Sequence, residues 1–521
     1  MDTVIPVLCL VSSFAFLMIR FKYELQMMQQ NSYRNDRYAK WLKSDLSSIN
    51  RILISGAFVI SGIFLNHTWL KIFITLFSVA GIFYELTRRY KKALVYTRRA
   101  IRLHLTASLV SLLSVAAVFF FSGNFNVPLL TVWLLNVLSF AVLMLSNKMN
   151  APIESAINRG YRKDAKRILE QHKDLIIIGI TGSYGKTSTK HYLHRILSEK
   201  YNVLMTPGSY NTTLGVIRTV REHLKPYHEV FIVEMGAKQT GDIKEICDLV
   251  HPSIGILTSV GEQHLESFKT IENVQKTKFE LIDSLPENGL AILNADFEYI
   301  TSRKVNHVKT FYYSFSNDRA DCHIEDVRYS NRGTSFTVKQ KDGTTDSFST
   351  KITGKHNLSN ILAGILVANY LNVERKATGY AVNHIEQVEH RLNIRQTQAG
   401  ITIIDDAYNS NPYGAEMALE VLKGFQSGKR IIVTPGMIEL GDRQFDCNYT
   451  FGKQLSDAAD YVIIVGAYNR EAIVKGLKDG GFDEEKLYQA SSFNDAMKHI
   501  NPRLAKGDVI LYENDLPDTF K

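Results

Sequence analysis

The segment from Ile176 to Ser188 constrains the fold more than any other, because a glycine-rich turn there joins an apolar run to a helix-like segment. Its turn and first helical positions are Gly182, Ser183, Tyr184, Gly185, Lys186, Thr187 and Ser188. This arrangement directs backbone N–H groups and a helix N-terminus at one point, which suits a polyphosphate. Lys186 can reach the terminal phosphates, and the Thr187 hydroxyl can hold Mg²⁺. Ile180 stands where the general P-loop has glycine, so an ordinary strand–helix turn is the alternative.

Composition indicates two kinds of region in one chain. A length of 521 residues predicts about three domains, and the first 150 residues are far more apolar than the rest. The four cysteines are scattered without metal-ligand spacing, which fits a reducing compartment. Basic residues account for the net charge of +9 and concentrate beside the apolar runs. Membrane topology and anionic membrane lipid explain them better than a nucleic acid, so no nucleic-acid partner is predicted.

Residues 1–150 are predicted to form a transmembrane region of about five helices. The apolar runs are Val4–Ile19, Ile52–Leu65, Leu70–Leu86, Leu105–Phe121 and Val127–Leu145. A crossing helix needs about 20 apolar residues, so the first two runs are short. The first run lacks the basic start and cleavage site of a signal peptide, although that alternative stays open. The second and third runs predict a tight helical hairpin or a re-entrant pair.

Charge asymmetry predicts the orientation of this region. Seven Lys or Arg residues lie in the loop 20–51, seven more in 88–102, and six in 148–167. The connections 66–69 and 122–126 contain none. The positive-inside rule then places the N-terminus outside the cell membrane and residues 146–521 in the cytoplasm. Only Lys71 and Glu85 are ionisable within the runs, so we expect an anchor rather than an ion pathway.

The remaining chain predicts two α/β domains. Residues 151–175 are predicted to be a linker, 176–388 a central ATP-binding domain, and 389–521 a Rossmann-like C-terminal domain. Short β-branched runs alternate with amphipathic segments in both domains, which favours mostly parallel sheets covered on both faces. The predicted strands are Ile176–Ile180, Glu229–Val233, Ser253–Thr258, Leu290–Leu293, Ile401–Asp405, Arg430–Thr434, Tyr461–Val465 and Asp508–Tyr512. Strand-like alternation also marks 308–352.

Polar residues follow several predicted strands, where an open α/β sheet binds ligands. Glu234 follows one strand and can hold a metal ion, or it can be a surface acid. His264 lies in a polar loop after the next strand, although a lone histidine is more often structural. Asn357 and Asn360 are three residues apart at a helix start, where they can contact an adenine edge or act as caps. The loop 206–215 can orient a carboxylate or be merely solvated.

Seven segments in this order resemble the Mur ligase family, and within it the MurF branch, from about Ile176 to Leu511. They are Thr181–Ser188, Glu234–Gly236, the loop through His264–Glu266, Asn294–Asp296, Gly354–Asn360, Asp405–Pro412 and Gly436–Gly441. The resemblance implies an ATP-dependent ligase in which a carboxylate attacks the γ-phosphate and an amine then displaces phosphate from the acyl phosphate. The implied substrates are a carboxylate-bearing envelope precursor and an amino acid or dipeptide.

The resemblance also implies roles for individual residues. Lys186, Lys278 and His264 would be catalytic, and two Mg²⁺ ions would be held by Thr187, Glu234, His264 and Lys278, the last as a carbamate. The implied ATP contacts beyond the P-loop are Asn357, Asn360, Arg391, Asp405 and Asn409. Asn211 and Thr212 would bind substrate. Without the resemblance, Lys278 reads as a surface helical lysine.

Three departures from the MurF pattern affect the expected substrates. The membrane region stands where MurF enzymes have a domain that binds the UDP portion. The sequence Tyr512–Asp518 replaces a Lys-Gly-Ser-Arg ending, and Thr434-Pro435 replaces Gly-Asp before Met437. The acceptor is therefore either a UDP-muramoyl-tripeptide or a sugar acid of a lipid-linked or capsular glycan. The alternatives from other classes are an ATPase-driven transporter or sensor and a Mur-like scaffold without catalysis.

Overall fold

The protein is described by a computed structural model over residues 3–44, 46–60, 67–88, 93–330, 333–408 and 410–516. The chain divides into two compact units: the residues up to Arg159, together with Leu516, belong to the first, and Gly160–Asp515 form the second. The first unit is helical, and the second contains both α/β regions.

The apolar N-terminal region consists of helices. They are α1 (Val4–Gln30), α2 (Asn35–Ser44), α3 (Leu46–Ile60), α4 (Thr68–Thr87), α5 (Arg98–Ser122), α6 (Asn126–Val137) and α7 (Ser139–Glu170). Among the described residues, α1, α4 and α5 are able to cross a membrane by length and composition, and α6 with α7, bent by 78°, are either a broken fourth span or a re-entrant loop. The second apolar run falls on α3 as far as Ile60, and its last residues lie outside the described part. Helix α7 continues through most of the predicted linker.

The first unit buries an ionisable pair that lies beyond the end of the first apolar run. Helix α1 continues beyond the apolar run to Gln30. Arg20 and Glu24 lie on this extension and are buried. Arg20 donates to the Ser55 hydroxyl at 2.7 Å, and Glu24 accepts hydrogen bonds from Tyr38 and Ser139. Burial of these charges is tolerated because hydrogen-bonding groups surround them.

The second unit begins with a nine-stranded sheet. Its strands are β1 (Ile176–Thr181), β2 (Val203–Met205), β3 (Val230–Glu234), β4 (Ile254–Leu257), β5 (Leu290–Asn294), β6 (Lys309–Ser314), β7 (Cys322–Ser330), β8 (Gly333–Gln340) and β9 (Thr345–Thr350). The spatial order is β2-β3-β1-β4-β5-β6-β7-β8-β9. Neighbours from β2 to β7 are parallel, and β7, β8 and β9 pair antiparallel. The predicted, mostly parallel α/β sheet is confirmed.

Helices cover this sheet on both faces. They are α8 (Lys186–Leu197), α9 (Thr213–His223), α10 (Asp242–Val250), α11 (Leu265–Phe268), α12 (Ile271–Asp283), α13 (Glu298–Thr301), α14 (Lys355–Tyr370) and α15 (Arg375–Asn383). Ile178 belongs to the core shared with α8 and α14, whereas Ile177 belongs to the core shared with α10 and α12. Successive strand residues point to opposite faces, so a strand covered on both sides is apolar throughout.

The C-terminal part of this unit is a second, six-stranded α/β sheet. Its elements are β10 (Asn393–Gln396), β11 (Thr402–Asp406), α16 (Pro412–Lys423), β12 (Arg430–Thr434), α17 (Gln444–Ala458), β13 (Tyr461–Val465), α18 (Arg470–Asp479), β14 (Leu487–Ala490), α19 (Phe493–Ile500) and β15 (Val509–Glu513). The order is β10-β11-β15-β12-β13-β14, and only β10 pairs antiparallel with its neighbour. The edge strands β10 and β14, four residues each, were not predicted.

Candidate active site

The carboxyl ends of β1, β3 and β4 meet at one edge of the large sheet. Ile180 of β1 pairs with Glu234 of β3, and Thr181 pairs with Leu257 of β4. Strands β3 and β2 extend the sheet on one side of β1, and β4 and β5 extend it on the other. This reversal of strand order creates the crevice in which open α/β sheets bind ligands.

The glycine-rich turn after β1 requires its glycines. Gly185 has φ 80°, a left-handed conformation that favours glycine, and it immediately precedes α8. A Cβ at Gly185 would lie 2.6 Å from Oδ1 of Asn360, and one at Gly182 would lie 2.1 Å from Oγ1 of Thr258. The turn therefore packs directly against the loop after β4 and the start of α14.

The loop after β4 holds the turn in place. The Ser183 N–H donates to the Ser259 carbonyl at 3.0 Å, and the Ser183 hydroxyl donates to the Gly261 carbonyl at 3.0 Å. The Tyr184 N–H donates to the Ser259 hydroxyl at 2.6 Å. The Tyr184 ring stacks on Tyr413 of α16, with centroids 5.4 Å apart and planes at 15°. The turn is thus ordered by both halves of the unit.

Lys186 folds back over its own loop. Its Nζ donates to the carbonyls of Gly182 at 2.6 Å and Ser183 at 3.0 Å. Burial lowers the pKa of Lys186 to about 8, while the Glu234 carboxylate opposes this shift and the positive charge of Arg391 adds to it. Within the described part of the chain this ammonium bonds only to carbonyls, which phosphate oxygens can replace.

Glu234 is the centre of the site. Its Oε1 accepts hydrogen bonds from the Thr187 hydroxyl at 3.2 Å and from Nδ2 of Asn211 at 3.1 Å. Burial alone would raise the pKa of Glu234, but the charges of Lys190 and Lys186 outweigh burial and lower it. The carboxylate is therefore ionised and surrounded by cationic and hydrogen-bonding groups.

The loop 206–215, which is predicted to bind substrate, is hydrogen-bonded to Glu234. Asn211 contacts the carboxylate through its side chain, and its carbonyl accepts from the Gly236 N–H at 2.7 Å. The Thr206 hydroxyl accepts from the Glu234 N–H at 3.1 Å. Thr212 instead caps α9, because its hydroxyl accepts from the Gly215 N–H. Asn211 thus lies at the crevice, while the Thr212 hydroxyl has a local structural role.

His264 and Lys278 approach the same site from the β4 side. Lys278 is buried in α12, and its ammonium makes no hydrogen bond or ion pair within the described ranges. Burial, followed by the positive charge of Lys186, lowers the pKa of Lys278 well below its usual value. Burial also lowers the pKa of His264, and Lys278 adds to that shift. The charge of Lys186 thus acts on Lys278, and the charge of Lys278 acts on His264.

A C-terminal loop contacts His264 directly. Nδ1 of His264 is hydrogen-bonded to Oε2 of Glu439, and Nζ of Lys238 lies 3.5 Å from Oε1 of the same carboxylate. Both His264 and Glu439 have left-handed backbones, with φ 54° and φ 63°. Burial would raise the pKa of Glu439, but the hydrogen bond and charge of His264, with Lys238, lower it to about 2.

The residues expected to bind the adenosine and phosphates of ATP make different contacts in the structure. Asn357 accepts from the Tyr192 hydroxyl and donates to a backbone carbonyl, so its amide is already used inside the domain. Asn360 lies against the turn, and Ser188 is buried in α8. Arg391 lies over the Tyr408 ring at 4.3 Å. Asp405 accepts from His390, and Asn409 lies outside the described residues.

Comparison with known proteins shows which protein family the two α/β domains match. The sequence pattern of the Mur ligase middle domain matches residues 180–368, and that of the Mur ligase glutamate ligase domain matches 390–512. A UDP-N-acetylmuramoyl-tripeptide--D-alanyl-D-alanine ligase of Synechocystis sp. is 31% identical over 341 residues, which cover 65% of this chain and 71% of that protein. The chain belongs to the Mur ligase family. Mur ligases are ATP-dependent enzymes that form amide bonds, and this chain is MurF-like among them.

Other comparisons agree with this Mur ligase assignment. The Bacillus subtilis ligase of the same name is 29% identical over 65% of this chain and 72% of its own length. The structure of MurF from Thermotoga maritima in complex with ADP has 27% identity and a TM-score of 0.61, covering 68% of this chain and 80% of that one. A MurF structure from Acinetobacter baumannii, 24% identical with a TM-score of 0.60, shares the fold. Both family patterns lie within the second unit of this Mur ligase.

Mg²⁺ fits the donors that this Mur ligase brings together. Oε2 of Glu234 is buried without a hydrogen bond of good geometry, although Nζ of Lys190 lies 3.0 Å away, and the Thr187 hydroxyl is beside Oε1. In the part of the chain that the structure describes, no three His, Cys, Asp or Glu side chains gather into a metal cluster. One carboxylate and one hydroxyl, completed by phosphate oxygens and water, are what Mg²⁺ commonly accepts.

Three residues of the Mur ligase site were not predicted. Lys190 is buried in α8 and contacts Glu234, Glu439 contacts His264, and Tyr413 stacks on the turn. Lys190 follows Lys186 by four residues and takes a position in the buried helical stripe, which is a signal visible in the sequence. Glu439 lies in the family-like segment Gly436–Gly441, but its contact with His264, like that of Tyr413 with Tyr184, joins two domains and is not visible in local spacing.

Proposed function

We propose that this chain is a membrane-anchored, MurF-like ligase that joins a carboxylate of a cell-envelope precursor to an amine through an acyl phosphate. The observation that carries the proposal is the contact between Thr187 of the turn and Glu234, which also binds Asn211 of the substrate loop. The Glu234 carboxylate therefore contacts both the phosphate-binding turn and the substrate loop, residues 206–215.

The proposed reaction has two steps. An acceptor carboxylate oxygen attacks the γ-phosphorus, the bond from phosphorus to the ADP oxygen breaks, and an acyl phosphate remains. The amine nitrogen then attacks the acyl carbon, loses a proton, and phosphate leaves. Lys186 would release the carbonyls of Gly182 and Ser183 and neutralise the phosphates. Mg²⁺, when bound, would offset the remaining negative charge and would be held by Thr187, Glu234 and His264.

Lys278 is proposed to act as a carbamate. Its buried amine lacks a counter-ion among the described residues, and its lowered pKa favours the neutral form that adds CO₂. The resulting anion would serve as a further metal ligand close to Lys186. A ¹³C carbamate signal from protein prepared with labelled bicarbonate tests this, with Lys278→Met as the control that lacks it.

We propose that the first unit anchors the enzyme in the cell membrane with the catalytic domains in the cytoplasm. Three helices of membrane-spanning length and composition support the anchor. An anchored ligase would meet lipid-linked acceptors at the membrane surface, so a sugar acid of a lipid-linked or capsular glycan is one acceptor class. The MurF relatives favour the other, a UDP-muramoyl-tripeptide with D-alanyl-D-alanine.

The test is a substrate panel with full-length enzyme in nanodiscs. UDP-muramoyl peptides and lipid-linked sugar acids are each combined with amino acids and dipeptides, and amide products are detected by mass spectrometry. We expect phosphate release only when both a carboxylate and an amine are present. Equal release from ATP alone would contradict coupled ligation. The acceptor that yields an amide product, either a UDP-muramoyl peptide or a lipid-linked sugar acid, identifies the substrate class.

A further inference from the structure

The contact between His264 and Glu439 joins the two halves of the second unit. His264 follows β4 in the central domain, whereas Glu439 lies between β12 and α17 of the C-terminal domain. Nδ1 of His264 is bonded to the carboxylate, and within the described residues Nε2 makes no hydrogen bond. With the proton on Nδ1, the lone pair of Nε2 is available to a metal ion. Histidine ligands commonly have this arrangement, with a carboxylate behind the ring.

The loop that carries Glu439 is held firmly within its own domain. Asn448 accepts from the Met437 N–H at 2.9 Å, and Asn469 donates to the Met437 carbonyl at 2.9 Å. Gln444 accepts from the Leu440 N–H at 3.3 Å. Amide side chains therefore hold the backbone on both sides of Glu439, so the C-terminal domain sets the position of its carboxylate.

The central domain receives this loop through several contacts. The Glu266 N–H donates to the Glu439 carbonyl at 3.3 Å, and Arg443 is ion-paired with Glu262. A Cβ at Gly441, where φ is 61°, would lie 3.3 Å from the backbone of Glu266. The loop therefore approaches the central domain closely at several residues, and one of them, Glu439, contacts the His264 ring.

We infer that Glu439 is a positioning residue that makes His264 a competent Mg²⁺ ligand only while the C-terminal domain is docked. This inference rests on the metal role of His264 in the proposed function. Docking of the C-terminal domain then completes the metal site. Coupling of this kind limits ATP consumption when the domain is displaced, because the phosphoryl-transfer site is incomplete without the carboxylate behind His264.

The inference is tested by metal binding without turnover. Full-length enzyme with saturating ADP is titrated with Mn²⁺, and free Mn²⁺ is measured by electron paramagnetic resonance. Glu439→Gln keeps the size of the side chain and removes its charge, Glu439→Asp withdraws the carboxylate by one methylene, and His264→Ala removes the ligand. Glu484→Gln is the matched control, because Glu484 is an exposed acid of the same domain paired with Lys478.

We expect Glu439→Gln to weaken the His264-dependent Mn²⁺ ion about 10- to 100-fold, the usual effect of losing a carboxylate behind a metal-bound histidine. Glu439→Asp should fall between wild type and Glu439→Gln, and Glu484→Gln should match wild type. In a His264→Ala background, Glu439→Gln should add nothing further.

Two results would overturn the inference, and they differ in what they say about the proposed function. If His264→Ala loses an ion but Glu439→Gln binds Mn²⁺ like wild type, Glu439 does not position the ligand, and the proposed metal role of His264 stands. If His264→Ala itself binds Mn²⁺ like wild type, the metal assignment of His264 fails and the inference fails with it. Circular dichroism of each variant confirms that it is folded.

Discussion

Lys190 and Glu234 form an ion pair closed off from solvent, with Nζ 3.0 Å from Oε2 and side-chain exposures of 0% and 1%. The same ammonium donates to the Gly208 carbonyl at 2.5 Å. One buried lysine therefore connects the phosphate-turn helix, the central acid of the site and the loop proposed to bind the acceptor.

Replacing Lys190 with Met should destabilise the catalytic unit by about 3–5 kcal/mol, because Glu234 would keep a buried charge without its partner. Urea unfolding, followed by far-ultraviolet circular dichroism, measures the change in the free energy of unfolding. The matched control is Lys244→Met, since Lys244 pairs with Asp248 at an exposed position and its loss should change the stability much less. Lys190→Met combined with Glu234→Gln should be less unstable than Lys190→Met alone; a larger loss would contradict the buried-pair explanation.

Lys186→Ala should reduce ATP-dependent phosphate release at least about 100-fold, the scale expected when one group that stabilises transition-state charge is removed. Lys186 contacts only loop carbonyls among the described residues, so the fold should survive. Phosphate release and membrane insertion are measured together. Insertion should be unchanged, and an undiminished rate would refute the P-loop role of Lys186.

Tyr413→Ala should weaken ADP binding by about 2- to 13-fold, because an aromatic pair contributes about 0.5–1.5 kcal/mol and this pair orders the phosphate turn. Tyr413→Phe should bind ADP like wild type, since the ring that stacks on Tyr184 is kept. Isothermal titration calorimetry checks both variants. Equal losses in the two would show that the Tyr413 hydroxyl, rather than the stacked ring, matters.

The acid sensitivity of the catalytic unit should depend on His356. Burial lowers the pKa of His356 to about 4, below the value of about 6.5 expected for an unfolded chain. The unfolded state therefore binds more protons between these values, and stability falls as the pH drops from about 6.5 to about 4. His356→Gln should lose less stability than wild type between pH 7.5 and pH 5, as measured by urea midpoints. The exposed His223→Gln control should follow wild type.

The strands and the phosphate turn were predictable because their signals are local. Apolar β-branched runs such as Ile176–Ile178 specify strands covered on both faces, and the spacing of Gly182, Gly185 and Lys186 specifies the turn. The positions of all eight predicted strands agree with the structure to within one or two residues at each end. The four-residue edge strands β10 and β14 lack such runs, so they were missed.

The individual site assignments depended on contacts that spacing does not contain. Asn357 and Asn360 look equivalent in the sequence, yet Asn357 bonds inside the domain and Asn360 lies against the turn. Thr212 looks like part of a ligand loop, yet its hydroxyl caps α9. A polar residue's role depends on which partner the fold places within about 3 Å of it.

By itself, the sequence determined the apolar N-terminal helices, the two α/β domains and the phosphate-binding turn, because hydrophobic periodicity and turn chemistry act between near neighbours. Only the tertiary structure decided that Lys190 neutralises Glu234, that Tyr413 supports the turn and that Glu439 stands behind His264. These pairs are separated by 44, 229 and 175 residues. Burial and charge act on them through space, so they exist only after the chain has folded.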